Sequence, residues 1–329
     1  MLSTFNFVES FWQKRTLLNY LLYPLSIVWQ LLSYLRKLQK PYRSKTFVIC
    51  VGNINLGGSG KTPTAILLSK ELSMAGFNVC FLTKGYKGTM QNPTIIQSFH
   101  NAKETGDEAM LLTEHATTIV SKSWKKGLQF IDSLNFDVVI LDDGYQNPSI
   151  NKHYNVLVIN YSYGFGNSMI FPCGPLRQSI GSGIKKANSI VVLEQESQAL
   201  HNAIDSFKKP IYRGHYIAMN VNEIKGSVYA FCGIGMPNKF LQTIKNNGIE
   251  AKQFKKFPDH HSYSNQDIIN LVSSAEQNNL SLLTTSKDYV KIPDEYKKHM
   301  QVLKIELHLL EIIKLKTDII EKIIQQKKH

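Results

Sequence analysis

Acidic side chains are scarce in this 329-residue chain: 25 Asp and Glu stand against 38 Lys and Arg, a formal net charge of +13. That imbalance points to anionic partners, whether nucleic acid, an anionic membrane or a phosphorylated substrate, without choosing among them. Cysteine is scarcer. Cys50, Cys80, Cys173 and Cys232 form no CxxC pair, and no histidine pair stands at zinc spacing, so neither a disulfide framework nor a structural metal site is indicated. Buried thiols of a reducing cytoplasm are expected instead. The chain also lacks internal repeats, long low-complexity tracts and the aromatic-basic interleaving of a nucleic-acid motor. No nucleic-acid partner is expected.

Charge is missing altogether from residues 16–35, TLLNYLLYPLSIVWQLLSYL. A spanning helix needs about 20 mostly apolar residues, but Asn19, Pro24, Ser26, Gln30 and Ser33 interrupt this stretch. Lys14-Arg15 precede it, and Arg36-Lys37, Lys40, Arg43 and Lys45 follow. Such flanks suit a helix lying in a membrane interface; an ordinary buried helix is the alternative. No small-x-small cleavage site follows, which argues against a signal peptide.

One glycine is missing where it matters. Residues 52–63 read GNINLGGSGKTP, and the Walker A pattern asks for Gly where Asn55 stands. A phosphate loop wraps backbone N–H groups around phosphates at the start of a helix. Gly57, Gly58 and Gly60 supply the torsional freedom, and Asn55 is expected to replace the missing glycine by tolerating a left-handed torsion. With Ser59 these residues form the expected nucleotide cradle. Lys61 is positioned to reach the outer phosphates and Thr62 to ligate Mg²⁺. The flanks agree, since 46–51 is a strand-like apolar run and 63–74 has helical spacing, with Pro63 in the tolerant first turn.

Further short β-branched runs at 78–83, 117–121, 136–141, 154–160 and 189–193 read as a doubly wound, mostly parallel sheet. The expected class is α/β, P-loop NTPase-like, with a smaller second α/β domain and an N-terminal amphipathic or hydrophobic helix. The expected division is an N-terminal interface helix over 1–40, a P-loop kinase domain over 41–210, an extended linker over 211–224 and a smaller domain over 225–329. Residues 136–147, FDVVILDDGYQN, read as a strand ending in two carboxylates, Asp142 and Asp143, which in P-loop enzymes hold Mg²⁺; a plain acidic turn is the alternative.

GNINLGGSGKTP, TKGY at 83–86, GDEAMLL at 106–112, LDDGYQN, PCGPLRQS at 172–179, FCGIGMPNKF at 231–240, FPDHHSYS at 257–264 and TTSKDYVK at 284–291 occur in this order. Together they resemble the tetraacyldisaccharide 4'-kinase family, the lipid A kinases, whose phosphate loop also lacks the first Walker glycine. The resemblance implies transfer of the ATP γ-phosphate to the 4'-hydroxyl of an acylated glucosamine disaccharide 1-phosphate. It implies a peripheral seat on the cytoplasmic face of the bacterial inner membrane. It further implies Asp107 and His261 as a base pair beside the acceptor hydroxyl, Arg177 and Lys61 as catalytic cations, and Glu108, Asp142, Asp143 and Gln146 around metal and phosphates. Lys84, Gln178 and Ser286 stand where the family usually has Arg, Glu and Glu.

The rival is a membrane-associated P-loop ATPase switch that positions or partitions cargo. Such switches carry Lys directly before the paired glycines, and this chain has Leu56. Oligomeric state and acyl-chain preference are left open by the sequence.

Overall fold

The computed structural model describes residues 11–35, 40–161, 164–194, 204 and 206–328. Residues 1–10 and 36–39 of the expected N-terminal helix, with the Arg36-Lys37 flank, lie outside the described residues. So do 162–163, 195–203 and 205 of the expected kinase domain, and His329.

Thirteen strands are described: β1 (Phe47–Gly52), β2 (Val79–Thr83), β3 (Thr94–Ile95), β4 (Thr117–Val120), β5 (Val138–Asp142), β6 (Tyr154–Asn160), β7 (Ser189–Leu193), β8 (Ile211–Ala218), β9 (Val228–Cys232), β10 (Ala251–Lys256), β11 (Ser281–Thr285), β12 (Met300–Leu303) and β13 (Ile305–Leu309). Nine form one sheet in the order β13-β8-β7-β6-β1-β5-β2-β4-β3, and four form a second in the order β10-β9-β11-β12. The large sheet is parallel except at its two edges, where β13 and β3 run antiparallel to β8 and β4. The small sheet is wholly parallel.

Parallel crossovers cover both faces of a sheet with helices, so its central strands are apolar on both sides. All residues of β1 and β5 are buried. Phe47, Ile49 and Val51 pack beneath helices Lys61–Met74 and Ile312–Lys327, whereas Val48 and Cys50 face helices Trp124–Ile131 and Ile180–Lys186. The strand β1 lies between β5 and β6, with Val51 paired to Asp142. Chain direction away from β1 reverses at this point, the switch point where α/β sheets open a crevice at the carboxyl ends of their strands. The phosphate loop and the paired aspartates both emerge there.

Two expected boundaries differ. The alternation at 211–218, expected as linker, belongs to β8, hydrogen-bonded to β7 on one side and β13 on the other. Residues 305–327, expected in the smaller domain, return to the large sheet. The small sheet is thus inserted between β8 and β13, a long-range pairing that local pattern does not reveal.

The N-terminal helices, Leu17–Leu21 and Tyr23–Leu35, invert the usual arrangement. Their buried residues are Asn19 and Ser26, while Leu17 and Leu21 are 78% and 68% exposed. The buried-helix alternative therefore does not describe residues 16–35. Among the described residues no helix is long and apolar enough to cross a membrane.

The terminal helix gives a direct stability test, because Ile319 is fully buried against the large sheet while Ile324 is 47% exposed. Ile319→Ala is expected to cost about 2–5 kcal/mol in equilibrium denaturation, and Ile324→Ala under about 1 kcal/mol. Equal, small losses would contradict the return of this helix to the core.

Candidate functional site

The phosphate loop leaves β1 at Gly52 and closes at Gly60, the N-cap of helix Lys61–Met74. Gly57 and Gly60 carry the left-handed torsions, with φ of 119° and 88°. At Gly60 a side chain would also collide with Leu193 and the Tyr216 hydroxyl. Asn55 is not among the residues with positive φ, which corrects its expected role as a torsional stand-in for glycine. Its side chain instead donates to the Gly164 carbonyl at 2.6 Å, and its backbone bridges Leu176. Asn here is a tether. Gly58 faces open space, and the Ser59 hydroxyl is buried without a hydrogen-bond partner.

Around the loop the predicted residues converge. Thr62 Oγ1 donates to Asp142 Oδ2 at 2.8 Å. Asp143, at φ 67° just past the end of β5, sits between two cations, Lys61 Nζ at 3.7 Å and Arg177 Nη1 at 2.9 Å. Arg177 also donates to Gln146 Oε1 at 3.3 Å, and Gln146 Nε2 donates to the Asn53 carbonyl at 2.5 Å. Burial pushes the Asp142 carboxyl up to about 7, with the nearby charge of Glu108 adding to the rise and Lys61 opposing it.

Asp142 Oδ1 is buried without a partner, on a carboxyl that is costly to ionise there. A divalent cation at this spot would satisfy that oxygen, so the residues fit one. Among the described residues no three His, Cys, Asp or Glu side chains form a ready cage. Asp143 is engaged by Lys61 and Arg177, and Glu108 Oε1 lies 3.7 Å from Lys287 Nζ. Mg²⁺ commonly uses only one or two carboxylates, completing its shell with water and substrate phosphate.

Asp107 and Glu108 open helix Asp107–Thr113 behind Gly106, whose φ of 91° lets the chain turn tightly against Tyr86. Across the gap stands His260, from the loop after β10. Its Nδ1 lies 2.9 Å from Asp107 Oδ2. Burial raises the Asp107 carboxyl, but the hydrogen bond from His260 and the charges of Lys291 and His260 outweigh it, holding the group below the usual range. Asp107 is therefore the acceptor and His260 Nδ1 the donor; in the neutral ring that tautomer leaves Nε2 with its lone pair. Lys287 Nζ is 3.3 Å from Nε2 and 3.7 Å from Asp259 Oδ1, and the Tyr86 ring meets the imidazole edge-on at 5.4 Å.

This corrects the expected pairing of Asp107 with His261. His261 packs at the edge of the small sheet's core, 25% exposed and stacked on Phe257 at 4.6 Å, with Nε2 3.1 Å from Asp267 Oδ2 in the capping box of helix Asn265–Gln277. His260 has φ 57°, and the two adjacent rings take different partners, Asp107 and Asp267. Sequence reasoning also gave no role to Lys287. Its signal was the TTSKDYVK segment, which runs from the end of β11 into the helix Ser286–Tyr289.

The family model for tetraacyldisaccharide-1-P 4'-kinase matches residues 18–324. The tetraacyldisaccharide 4'-kinase of Rickettsia canadensis is 36% identical over 286 residues, covering 86% of this chain and 88% of the relative. That of Rickettsia typhi is 37% identical over 282 residues, covering 85% and 88%. Among solved structures, LpxK from Aquifex aeolicus in complex with ATP is similar with a TM-score of 0.74 at 25% identity, covering 93% of this chain and 100% of that one. The matched span takes in the phosphate loop, the aspartate pair and the histidine that meets them from the second sheet, and by that continuity this chain belongs to the tetraacyldisaccharide 4'-kinase family.

Proposed function

We infer that this protein transfers the γ-phosphoryl group of ATP to the 4'-hydroxyl of an acylated glucosamine disaccharide 1-phosphate. The observation that carries the reading is a phosphate loop on the large sheet together with an Asp-His pair that spans the gap between the two sheets. Family membership favours the kinase over the partitioning-type ATPase switch. On this reading the large sheet is the core of a P-loop kinase domain and the small sheet that of a second domain, with the acceptor sugar between them.

The backbone of residues 57–60 and Lys61 hold the phosphates, while Arg177 and Gln146 keep Asp143 and the loop in register. Thr62 and Asp142 would hold Mg²⁺, with Asp143 and Glu108 close by; when bound, the ion neutralises charge on the phosphate oxygens. The acceptor 4'-oxygen attacks the γ-phosphorus as the bond to the ADP oxygen breaks. Its proton passes to His260 Nε2, with Asp107 fixing the tautomer and stabilising the imidazolium. Lys287, now beside Nε2, yields that place to the hydroxyl.

The membrane seat has a separate basis. The outward face of helices Leu17–Leu21 and Tyr23–Leu35 is apolar, their first turns carry no acidic residue, and Lys14, Arg15, Lys40 and Arg43 lie close in sequence. An anionic bilayer fits that combination. Dependence on cytosolic ATP assigns the cytoplasmic leaflet.

Conversion of the disaccharide 1-phosphate to a bis-phosphate by purified protein with ATP and Mg²⁺ tests the reading; nucleotide hydrolysis without a phosphorylated lipid would favour the ATPase switch. Three outcomes are expected beneath it. His260→Ala and Asp107→Ala each lower turnover about 10²–10⁴-fold, and the double variant is little worse than either; His261→Ala lowers stability but leaves turnover within a few-fold, and the reverse ranking would overturn the assignment. For Asp142, the metal-free native state keeps to about 7 a proton that the carboxyl ordinarily releases at 3.8. Its contribution to stability therefore falls as pH rises through that window, and Mg²⁺ must displace the proton. Thermal stabilisation by Mg²⁺ should then be larger at about pH 8 than at about pH 6, and Asp142→Asn should abolish that dependence. A shift independent of pH would remove Asp142 from the metal site. Leu21→Glu with Leu31→Glu should cut co-sedimentation with anionic vesicles about tenfold or more, while high salt only weakens wild-type binding; undiminished sedimentation of the double variant would move the anchor elsewhere.

A further inference from the structure

Residues 164–177 form a strap with one side against the N-terminal helices and the other against the phosphate loop. On the helix side its carbonyls are taken up by side chains. Asn19 Nδ2 donates to the Cys173 carbonyl at 2.8 Å and Ser26 Oγ to the Ile170 carbonyl at 2.8 Å. Trp12 Nε1 reaches the Pro172 carbonyl at 3.1 Å, and Trp29 Nε1 the Arg177 carbonyl at 3.3 Å. On the loop side the contacts are with the nucleotide cradle itself. The Arg177 N–H donates to the Ile54 carbonyl at 2.7 Å, and the Leu56 N–H to the Pro175 carbonyl at 2.8 Å. Asn55 Nδ2 holds the Gly164 carbonyl, and the strap ends in the guanidinium that pairs with Asp143 at 2.9 Å.

A surface helix held by packing alone would turn leucines inward, because burying a polar group costs free energy unless its hydrogen bonds are met. Here Asn19 and Ser26 are 0% and 1% exposed, and the leucines face out. The inward polar residues therefore serve the strap's carbonyls from the helix side, adding to the bonds made within the strap, where Asn167 Nδ2 donates to the Cys173 carbonyl at 2.9 Å and the Gly174 N–H to that of Ile170 at 3.3 Å. Asn19 does so without giving up its own helix, since its Oδ1 accepts from the Thr16 N–H and hydroxyl at 2.6 and 2.7 Å.

We propose that Asn19 and Ser26 are positioning residues for phosphoryl transfer: through the strap they set the phosphate loop and Arg177 against Asp143, joining the lipid-facing helices to the nucleotide site. The proposal rests on the kinase reading above. Displacements of about 1 Å in such supports can cost about 10²-fold in rate, and loss of one neutral hydrogen bond costs less.

The test uses the full-length protein with acceptor lipid in anionic vesicles, scoring kcat, KM for ATP and vesicle binding. Ser26→Ala, which removes one oxygen, and Asn19→Asp, which keeps the acceptor for Thr16 but removes the amide donor, are compared with wild type. Both should lower kcat about 3–30-fold with vesicle binding within about twofold of wild type. In an Arg177→Ala background their further loss should be smaller than in wild type, because the strap then has only the phosphate loop left to place. Ser26→Thr should restore most of the rate. If Asn19→Asp fails to fold, Ser26→Ala and Ser26→Thr decide alone. Unchanged kcat, losses that multiply with Arg177→Ala, or a loss that tracks weaker vesicle binding would each overturn the proposal. A wild-type protein that makes no 4'-phosphorylated lipid would instead defeat the kinase reading, whatever the variants do.

Discussion

The 2.9 Å hydrogen bond between Asp107 and His260 is the contact on which the rest of the site depends, because its two ends belong to different sheets. The phosphate loop stands on the large sheet, and the imidazole that faces Asp107 stands on a loop of the small one. Neither sheet carries a complete site. Lys287 reinforces the junction through Glu108, and Lys239 makes a second bridge to Glu194 at 2.7 Å. Exposed ion pairs contribute little, typically about 0–1 kcal/mol each, and these are partly exposed. The arrangement joins the two sheets through modest contacts near the chemistry and through the antiparallel β8 and β13 pair at their base, a construction that holds the site without locking it.

The polar junctions follow one physical rule, that buried donors and acceptors find partners. Asp107 is answered by His260, Asp143 by Arg177 and Lys61, and the strap carbonyls by Asn19 and Ser26. Asn53 Oδ1 and Arg177 Nε are exceptions beside the phosphate loop, and so are Asp142 Oδ1 and the Ser59 hydroxyl. The last two sit where a divalent ion and phosphate are expected, in agreement with the motif.

Local chemistry made much of this readable. The full burial of β1 and β5, the glycines of the cradle, Lys61, Thr62 and the aspartate pair are all consequences of residue type at short spacing. What escaped was fixed by geometry that spacing does not encode. The choice between His260 and His261 lies in which of two adjacent rings meets Asp107 across the gap, and the sequence carries both. Asn55 was read as a backbone device and is a side-chain tether to a segment more than a hundred positions away. The alternation of 211–218 was legible as extended chain, but its place in the large sheet depends on β13, which arrives only after the whole small sheet has been built. In residues 16–35 the interruptions Asn19 and Ser26 looked like flaws in an apolar helix and are its inward face.

The most direct measurement is the ¹⁵N spectrum of the His260 imidazole in the intact protein, compared with Asp107→Asn. For the neutral form of the ring the account predicts the proton on Nδ1 and a bare Nε2, and a change of tautomer population when the carboxylate becomes an amide. A neutral ring protonated on Nε2, or one indifferent to Asp107→Asn, would contradict the claim that this pair completes the site across the two sheets.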